Sequence, residues 1–262
     1  MIFSGRSVLG WSLLAVIFLA GCATLPPPRE AGHPVSRQQQ EELVARLQIR
    51  EDQIRSVRGI AGVEITLKEE TRRFREALAL RSDGRFRLET LGSFGLPVLI
   101  IASDGNRVVV HRTSDRPGAV ADGDQLLDGL LGLELPPASF ARLLSGLPPR
   151  PLASSPLVLY LPQRHAYLLE GEDADDAVQR LYLDASGGLL GGEIWKGRHG
   201  LRFTFSAVRD VEGIPYPMGI TLTQTRHPVR VQVTYQVIDL NPVLADRLFT
   251  LPQSTPVENG GI

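Results

Sequence analysis

Apolar residues near the start of the chain recur with the spacing of a helix. Leu43, Leu47 and Ile54 follow one another at intervals of four and seven residues on a background of Gln, Glu and Arg. This spacing places apolar side chains on one face of an amphipathic helix. Ser36 precedes the pattern as a candidate N-cap. We therefore predict a helix over residues 36–56 that packs one stripe against the rest of the fold.

From residue 58 onward, apolar and polar residues alternate with a period of two, which predicts half-buried β-strands. Short turns containing Gly, such as residues 82–84 and 103–106, separate the runs. Neighbouring strands joined by short turns must be antiparallel. The predicted strands are residues 63–67, 73–80, 85–89, 98–102, 107–111, 157–161, 165–170, 178–184, 189–196, 201–211, 219–225 and 229–239.

The alternation is interrupted between residues 122 and 151. Two short, strongly apolar segments, residues 124–131 and 137–144, are predicted helices that lie against the sheet or plug its open side. A twisted sheet of about 11 strands cannot stay flat. The predicted fold class is mainly β with helices (α+β): a curved antiparallel sheet that forms a half-open barrel.

The inner face of such a barrel encloses either a packed core or a cavity. Aromatic residues make up only 6% of the chain, so the inner face is mainly aliphatic and suits aliphatic chains. A register error of one residue would exchange the two faces of a strand. The candidate wall positions are Val63, Ile65, Phe74, Leu78, Phe86, Leu88, Ile100, Val110, Leu181, Phe203, Phe205, Leu222, Val231 and Val233.

The N-terminus has the pattern of an export signal. Arg6 precedes an apolar run over residues 8–20, which is too short to cross a bilayer stably. The run ends in Leu-Ala-Gly-Cys at residues 19–22, which resembles the lipobox of bacterial lipoprotein precursors. The resemblance implies that residues 1–21 are removed and that Cys22 carries a diacylglyceryl group and an N-linked acyl chain. The alternative is an ordinary signal peptide with a chance cysteine.

Composition after the cysteine changes to that of a tether. Residues 22–37 include a run of three prolines and little to bury, so we expect an extended segment. Residues 38–256 then form one large domain, and residues 257–262 form a disordered tail. Ala23 after the cysteine, by resemblance to the commonest sorting rule, favours the outer membrane.

The residue pattern offers little for chemistry. The formal net charge is −1, with interspersed signs, which gives no footprint for nucleic acid. The five histidines are scattered without the local spacing of a metal site. A nucleophile elbow, a phosphate-binding loop and a dinucleotide fingerprint are missing from the sequence. We expect no catalytic residues, no metal and no cofactor beyond the lipid at Cys22, and therefore a protein that is not an enzyme.

Three stretches resemble the LolA/LolB family of lipoprotein carriers and receptors: residues 54–59, residues 130–136 followed by 140–148, and residues 237–242 with 248–252. The resemblance implies a half-open barrel closed by an N-terminal helix and a helical insert, with a cavity for lipoprotein acyl chains. It also implies a monomer anchored to the outer membrane and facing the periplasm, supplied by a LolA-like carrier. In the anchored members a protruding apolar loop helps delivery, and residues 91–97 with Phe94 and Leu96 are in the corresponding place.

Two other functions remain open. The protein could carry a different lipid, or it could be a structural or accessory lipoprotein of an envelope assembly with a filled barrel. Phe94 and Leu96 could also tuck into the barrel mouth, since an apolar loop residue is more often packed than displayed.

Overall fold

The computed structural model describes residues 28–113, 119–122, 127, 135–173, 176–197, 199–225 and 228–250. The predicted signal peptide, the lipidation site Cys22 and the predicted disordered tail lie outside these residues. The first predicted insert helix, residues 124–131, also lies outside them except for Leu127, which is buried in the core.

All described strands belong to a single antiparallel sheet of fourteen strands. In chain order they are β1 (His33–Pro34), β2 (Ser56–Leu67), β3 (Glu70–Arg81), β4 (Phe86–Leu91), β5 (Pro97–Ser103), β6 (Arg107–Arg112), β7 (Ala119–Asp122), β8 (Leu157–Leu161), β9 (Ala166–Glu172), β10 (Val178–Leu183), β11 (Leu189–Lys196), β12 (His199–Val211), β13 (Ile214–Gln224) and β14 (Val229–Leu240). Two α-helices, α1 (Arg37–Gln53) and α2 (Pro137–Leu144), and a 3-10 helix (Asp246–Phe249) complete the described elements.

The strand order is β1-β8-β9-β10-β11-β12-β13-β14-β2-β3-β4-β5-β6-β7. Two hairpin series, β2 to β7 and β8 to β14, are therefore joined in the middle by the long pairing of β14 with β2. The order ends at β1 and β7, so the sheet is open, and the predicted mainly β, antiparallel architecture is confirmed. The predicted number of strands was too low. β1 and β7 were not predicted, because strands of two and four residues are too short to show an alternation of apolar and polar residues.

Alternation along β2 separates the two faces of the sheet as its pattern predicts. Val63 pairs with Phe74 of β3 and Val233 of β14, and all three lie on the inner face. The intervening Glu64 pairs with Arg73, whose Nε lies 2.7 Å from the Glu64 carboxylate on the outer face.

The predicted N-terminal helix is present as α1. The Ser36 side chain accepts a hydrogen bond from the backbone N–H of Gln39, and the Gln39 side chain accepts one from the backbone N–H of Ser36, which forms a capping box. Leu43 and Leu47 are buried, and Ile54 just beyond the helix is fully buried. The apolar stripe therefore packs into the core, as the spacing predicts.

The second insert helix, α2, is fixed against the sheet by its apolar residues. The ring of Phe140 meets Phe86 of β4 edge-to-face, with the centroids 5.6 Å apart. At the other end of α2, Arg142 donates to the Pro148 carbonyl and reaches Glu51 of α1 at 2.7 Å. α2 thus covers part of the sheet and is tied to α1.

The described part of the predicted tether, residues 28–37, contacts the sheet. His33 and Pro34 pair with Tyr160 and Leu159 of β8, so residues 33–34 are a short edge strand. Arg29 forms an ion pair with Glu170, and Arg164 donates to Glu30. These residues are extended, and contacts with distant parts of the chain also hold them on the sheet. Local composition does not show long-range ion pairs and edge pairing.

Candidate functional site

A cavity of about 370 Å³ lies between the sheet and α2. It is bordered by strands β2 to β6, by β14 and by the apolar face of α2. Its volume and its mainly apolar wall are those of a small-molecule site. Half of the predicted wall positions line it: Val63, Ile65, Phe74, Leu78, Leu88, Val231 and Val233.

Cross-strand pairing explains why these residues meet. Val231 is opposite Ile65, and Val233 is opposite Val63. On the next strands Leu78 is opposite Leu88, which is opposite Ile101. Residues directly opposite one another point to the same face. Each row therefore contributes apolar side chains to one wall.

Three of the predicted wall positions, on strands β4 to β6, are not among the described residues that line the cavity. Ile100 pairs with Glu89 and His111, so it points to the opposite face, and Ile101 takes the place predicted for it. The run over residues 97–102 is almost entirely apolar and has no alternation that fixes its face. Phe86 is one row further along the inner face, fully buried against Phe140. Val110 also packs against the core.

The other predicted wall positions outside the lining set belong to the half of the sheet formed by β8 to β13. There the described apolar side chains pack against one another in the core, and the tilted rings of Phe203 and Phe205 lie 5.6 Å apart. Leu181 and Leu222 are buried in the same core. The cavity lies at the part of the sheet around β2 to β6 and β14, where α2 packs against the strands.

The sequence prediction missed the other residues that line the cavity. Phe140 and Leu144 are four residues apart and share one face of α2. Val98 and Leu99 both reach the cavity at a register shift between Thr90 and Leu91. The remaining missed residues are Glu76, Thr90, Ile101 and Arg112. The alternation could have predicted Glu76 and Thr90. They belong to the inner-face series 74, 76, 78 on β3 and 86, 88, 90 on β4.

Glu76 is a carboxyl group in largely apolar surroundings. Its neighbours on the same face of β3 are Phe74 and Leu78. The Thr90 hydroxyl donates to its Oε1 at 2.6 Å. Burial raises the pKa of Glu76 to about 7, Thr90 opposes that shift, and the charge of Glu89 adds to it. The group therefore changes protonation near neutral pH.

The loop between β4 and β5 lies beside the cavity. Gly95 adopts a left-handed φ of +74°, and a side chain at Gly92 would collide with Val98. Val98 lines the cavity and is 49% exposed, so the cavity reaches solvent near the loop. Phe94 is 94% exposed and Leu96 is 70% exposed. The loop thus displays both side chains and does not tuck them into the fold.

Within the described ranges, no three His, Cys, Asp or Glu side chains converge as metal ligands would. No helix among those same residues has the length and apolar character needed to span a bilayer.

Comparison with solved structures identifies the architecture. A LolA superfamily protein from Nitrosomonas europaea superposes with a TM-score of 0.52 at 12% identity, covering 79% of this chain and 97% of that one. A DUF1329 family protein from Desulfovibrio piger gives 0.58 at 12% identity, covering 83% and 98%. A domain described as an outer-membrane lipoprotein-sorting protein, from Vibrio parahaemolyticus, gives 0.58 at 11% identity, covering 79% and 94%.

No protein-family model and no curated protein matches the sequence. At 11–12% identity the structural likeness establishes the fold, and the function has to be argued from the site. The fold predicted from the three sequence stretches is confirmed: this chain has the fold of the LolA/LolB lipoprotein-sorting proteins.

Proposed function

We propose that this protein is a lipid-anchored lipoprotein of the LolB type, which accepts the acyl chains of lipoproteins in its cavity and delivers them to the outer membrane. The observation that carries the proposal is the apolar cavity that reaches solvent beside the exposed Phe94 and Leu96. A cavity explains binding, and a displayed apolar loop beside it explains release. The same fold in a lipoprotein-sorting domain supports this reading.

The cavity wall supplies the free energy for acyl binding. Transfer of one methylene group from water to an apolar site contributes about 0.8 kcal/mol. Seven aliphatic or aromatic residues of β2, β3, β4 and β14 form most of one wall, and Phe140 and Leu144 of α2 form the opposite one. Burial of even part of one acyl chain therefore contributes several kcal/mol. No covalent chemistry is needed for this role.

The exposed loop acts where cargo leaves the protein. Phe94 is a large apolar side chain whose surface is almost wholly open to solvent, an arrangement that favours contact with a bilayer or an acylated partner. Val98 connects the base of the loop to the cavity wall. An acyl chain that leaves the cavity here passes into the membrane without a long path through water.

The anchor keeps the protein close to the bilayer. Acyl chains on Cys22 hold the protein firmly, because two or more chains make membrane binding effectively permanent. Arg29 is already docked on the sheet through Glu170. The seven residues from Cys22 to Arg29 span at most about 25 Å. The edge formed by β1 and β8 therefore stays near the membrane surface.

Transfer of an acylated peptide between two supports tests the proposal. The lipidated protein is reconstituted on phospholipid vesicles and mixed with a triacylated cysteine peptide held by a soluble carrier of LolA fold. Flotation then measures the peptide that reaches the vesicles. We expect transfer that exceeds the transfer to protein-free vesicles and that is lost when the cavity is filled by Leu99→Trp. Equal transfer with and without the protein would overturn the proposal.

A further inference from the structure

One cross-strand row of the cavity wall is polar where its neighbours are apolar. Glu76 is opposite Thr90, Thr90 is opposite Leu99, and Leu99 is opposite Arg112. The row on one side contains Phe74, and the row on the other side contains Leu78, Leu88 and Ile101. A cavity made only to hold hydrocarbon has no use for a carboxyl group, since burying one is costly.

The carboxyl of Glu76 has room for another hydrogen bond. Among the residues that the structure describes, its hydrogen-bond partner is the Thr90 hydroxyl, which donates to Oε1. A carboxylate offers about four acceptor positions on its two oxygens. Its elevated pKa, with burial as the largest cause, shows how poorly the protein alone solvates it. A ligand that donates a hydrogen bond would relieve this cost.

We propose that the cavity recognises an acyl chain that carries a neutral N–H or O–H donor next to the chain, and that this donor binds the carboxyl of Glu76. The inference rests on the proposed lipid-binding function and adds which lipids the cavity prefers. The hydrocarbon lies along Leu78, Leu88 and Ile101 towards α2, and the polar group lies across the row of Glu76 and Thr90.

A neutral donor matches the row better than a charged headgroup does. It satisfies the carboxyl of Glu76 without bringing a second charge into a largely apolar cavity, where burial of a charge is costly. The amide N–H of an N-acylated peptide and the hydroxyl of an acylglycerol share this chemistry.

Matched probes test the inference. The mature-length chain with Cys22→Ser, which lacks its own acyl chains and keeps every described residue, is loaded with a fluorescent fatty acid. An N-acylated dipeptide and its N-methylated counterpart then compete for the cavity, as do a monoacylglycerol and its methyl ether. We expect the donor-bearing probe of at least one pair to bind about tenfold more tightly, the value of one hydrogen bond to a charged group. The pair that shows the preference identifies the source of the donor.

Variants assign the preference to Glu76. Glu76→Leu removes the acceptor and should bring the affinity ratio of the preferred pair to about one while the fluorescent fatty acid still binds. Glu76→Met replaces it if the leucine variant fails to fold. Glu64→Gln is the control, because Glu64 lies on the outer face of β2, where it pairs with Arg73. It should keep the wild-type ratio.

Each outcome separates the two proposals. Equal affinities within both pairs on the wild-type chain, or a preference that survives in Glu76→Leu, would overturn the role of Glu76 while leaving lipid binding intact. A wild-type chain that binds neither the fluorescent fatty acid nor any competitor would overturn the proposed function, and this inference with it.

Discussion

Tyr216 and Tyr235 donate hydrogen bonds to the same main-chain oxygen, the carbonyl of Leu144, at 3.1 and 2.5 Å. Their rings meet edge-to-face with centroids 5.8 Å apart. Burial raises the pKa of both hydroxyls above the ordinary tyrosine value, so both stay protonated donors at neutral pH. Two central strands thereby hold the C-terminal end of α2, and with it the Leu144 side chain that lines the cavity.

Loss of both hydroxyls should cost more than the sum of the two single losses. Tyr216→Phe or Tyr235→Phe alone leaves the Leu144 carbonyl one donor, and each should lower the free energy of unfolding by about 1 kcal/mol. The double variant leaves the carbonyl without either and should lower it by about 3 kcal/mol or more. Chemical denaturation of the four proteins measures the coupling. Strictly additive losses would show that the carbonyl does not depend on the pair.

A matched control for this experiment is Tyr160→Phe. Tyr160 of β8 is half-buried with its ring centroid 5.4 Å from that of Tyr167, and the described residues give its hydroxyl no hydrogen-bond partner. Its removal should change the free energy of unfolding by less than about 0.5 kcal/mol.

A bulky residue in the wall should block the cavity. Leu99→Trp adds a large side chain to the inner face of β5 and should weaken binding of a fluorescent fatty acid at least tenfold. Ile100→Trp makes the same change on the next residue, which is also half-buried but points to the opposite face, and should bind like the wild type. Fluorescence titration measures both. Equal loss in the two variants would place the ligand somewhere other than this cavity.

Charges on the loop should impair delivery but not uptake. Phe94→Asp with Leu96→Asp puts two carboxylates on the most exposed apolar loop beside the cavity, where they should abolish most membrane contact. Transfer of an acylated peptide to vesicles should fall at least fivefold, while fatty acid affinity and stability stay within experimental error. Val243→Asp is the control, since Val243 is 99% exposed and belongs to a different loop. The loop has no role in delivery if all the proteins transfer equally.

Glu76 should make stability depend on pH. Burial raises its folded-state pKa from 4.5 to about 7, so the unfolded chain releases the proton first as pH rises. The contribution of Glu76 to the free energy of unfolding is complete below pH 4.5. It is lost between pH 4.5 and about 7 and does not return at higher pH. Relative to Glu76→Gln, the wild type should lose about 3 kcal/mol of its free energy of unfolding across this window. If the free energies of unfolding of the two proteins changed with pH in parallel, that result would contradict the burial assigned to Glu76.

The sequence predicted the features that depend on local periodicity. The stripe of Leu43 and Leu47 gave α1, and the alternation along β2 and β3 placed Val63, Ile65, Phe74 and Leu78 on one face. These assignments need only neighbouring residues. For Phe94 the sequence left two alternatives, display by family resemblance and packing into the barrel mouth, and the structure shows it displayed.

What the sequence did not predict depends on contacts between distant segments. The apolar run over residues 97–102 carries no period, so the choice of Ile101 over Ile100 follows from pairing with β4 and β6. The docking of residues 29–34 depends on β8 and Glu170, more than 100 residues away. The position of α2, whose Leu144 lines the cavity, depends on hydrogen bonds from Tyr216 of β13 and Tyr235 of β14.

The most direct test of the central claim is to identify what the cavity holds when the protein comes from its own cell envelope. The chain is produced there without its acyl chains, as Cys22→Ser, purified gently, and analysed by native mass spectrometry and lipid extraction. We expect a near-stoichiometric acylated peptide or lipoprotein that is lost in Leu99→Trp and retained in Ile100→Trp. A different lipid bound in the same way would make the protein a general lipid carrier. Protein that is reproducibly empty and takes up no fluorescent fatty acid would contradict the account.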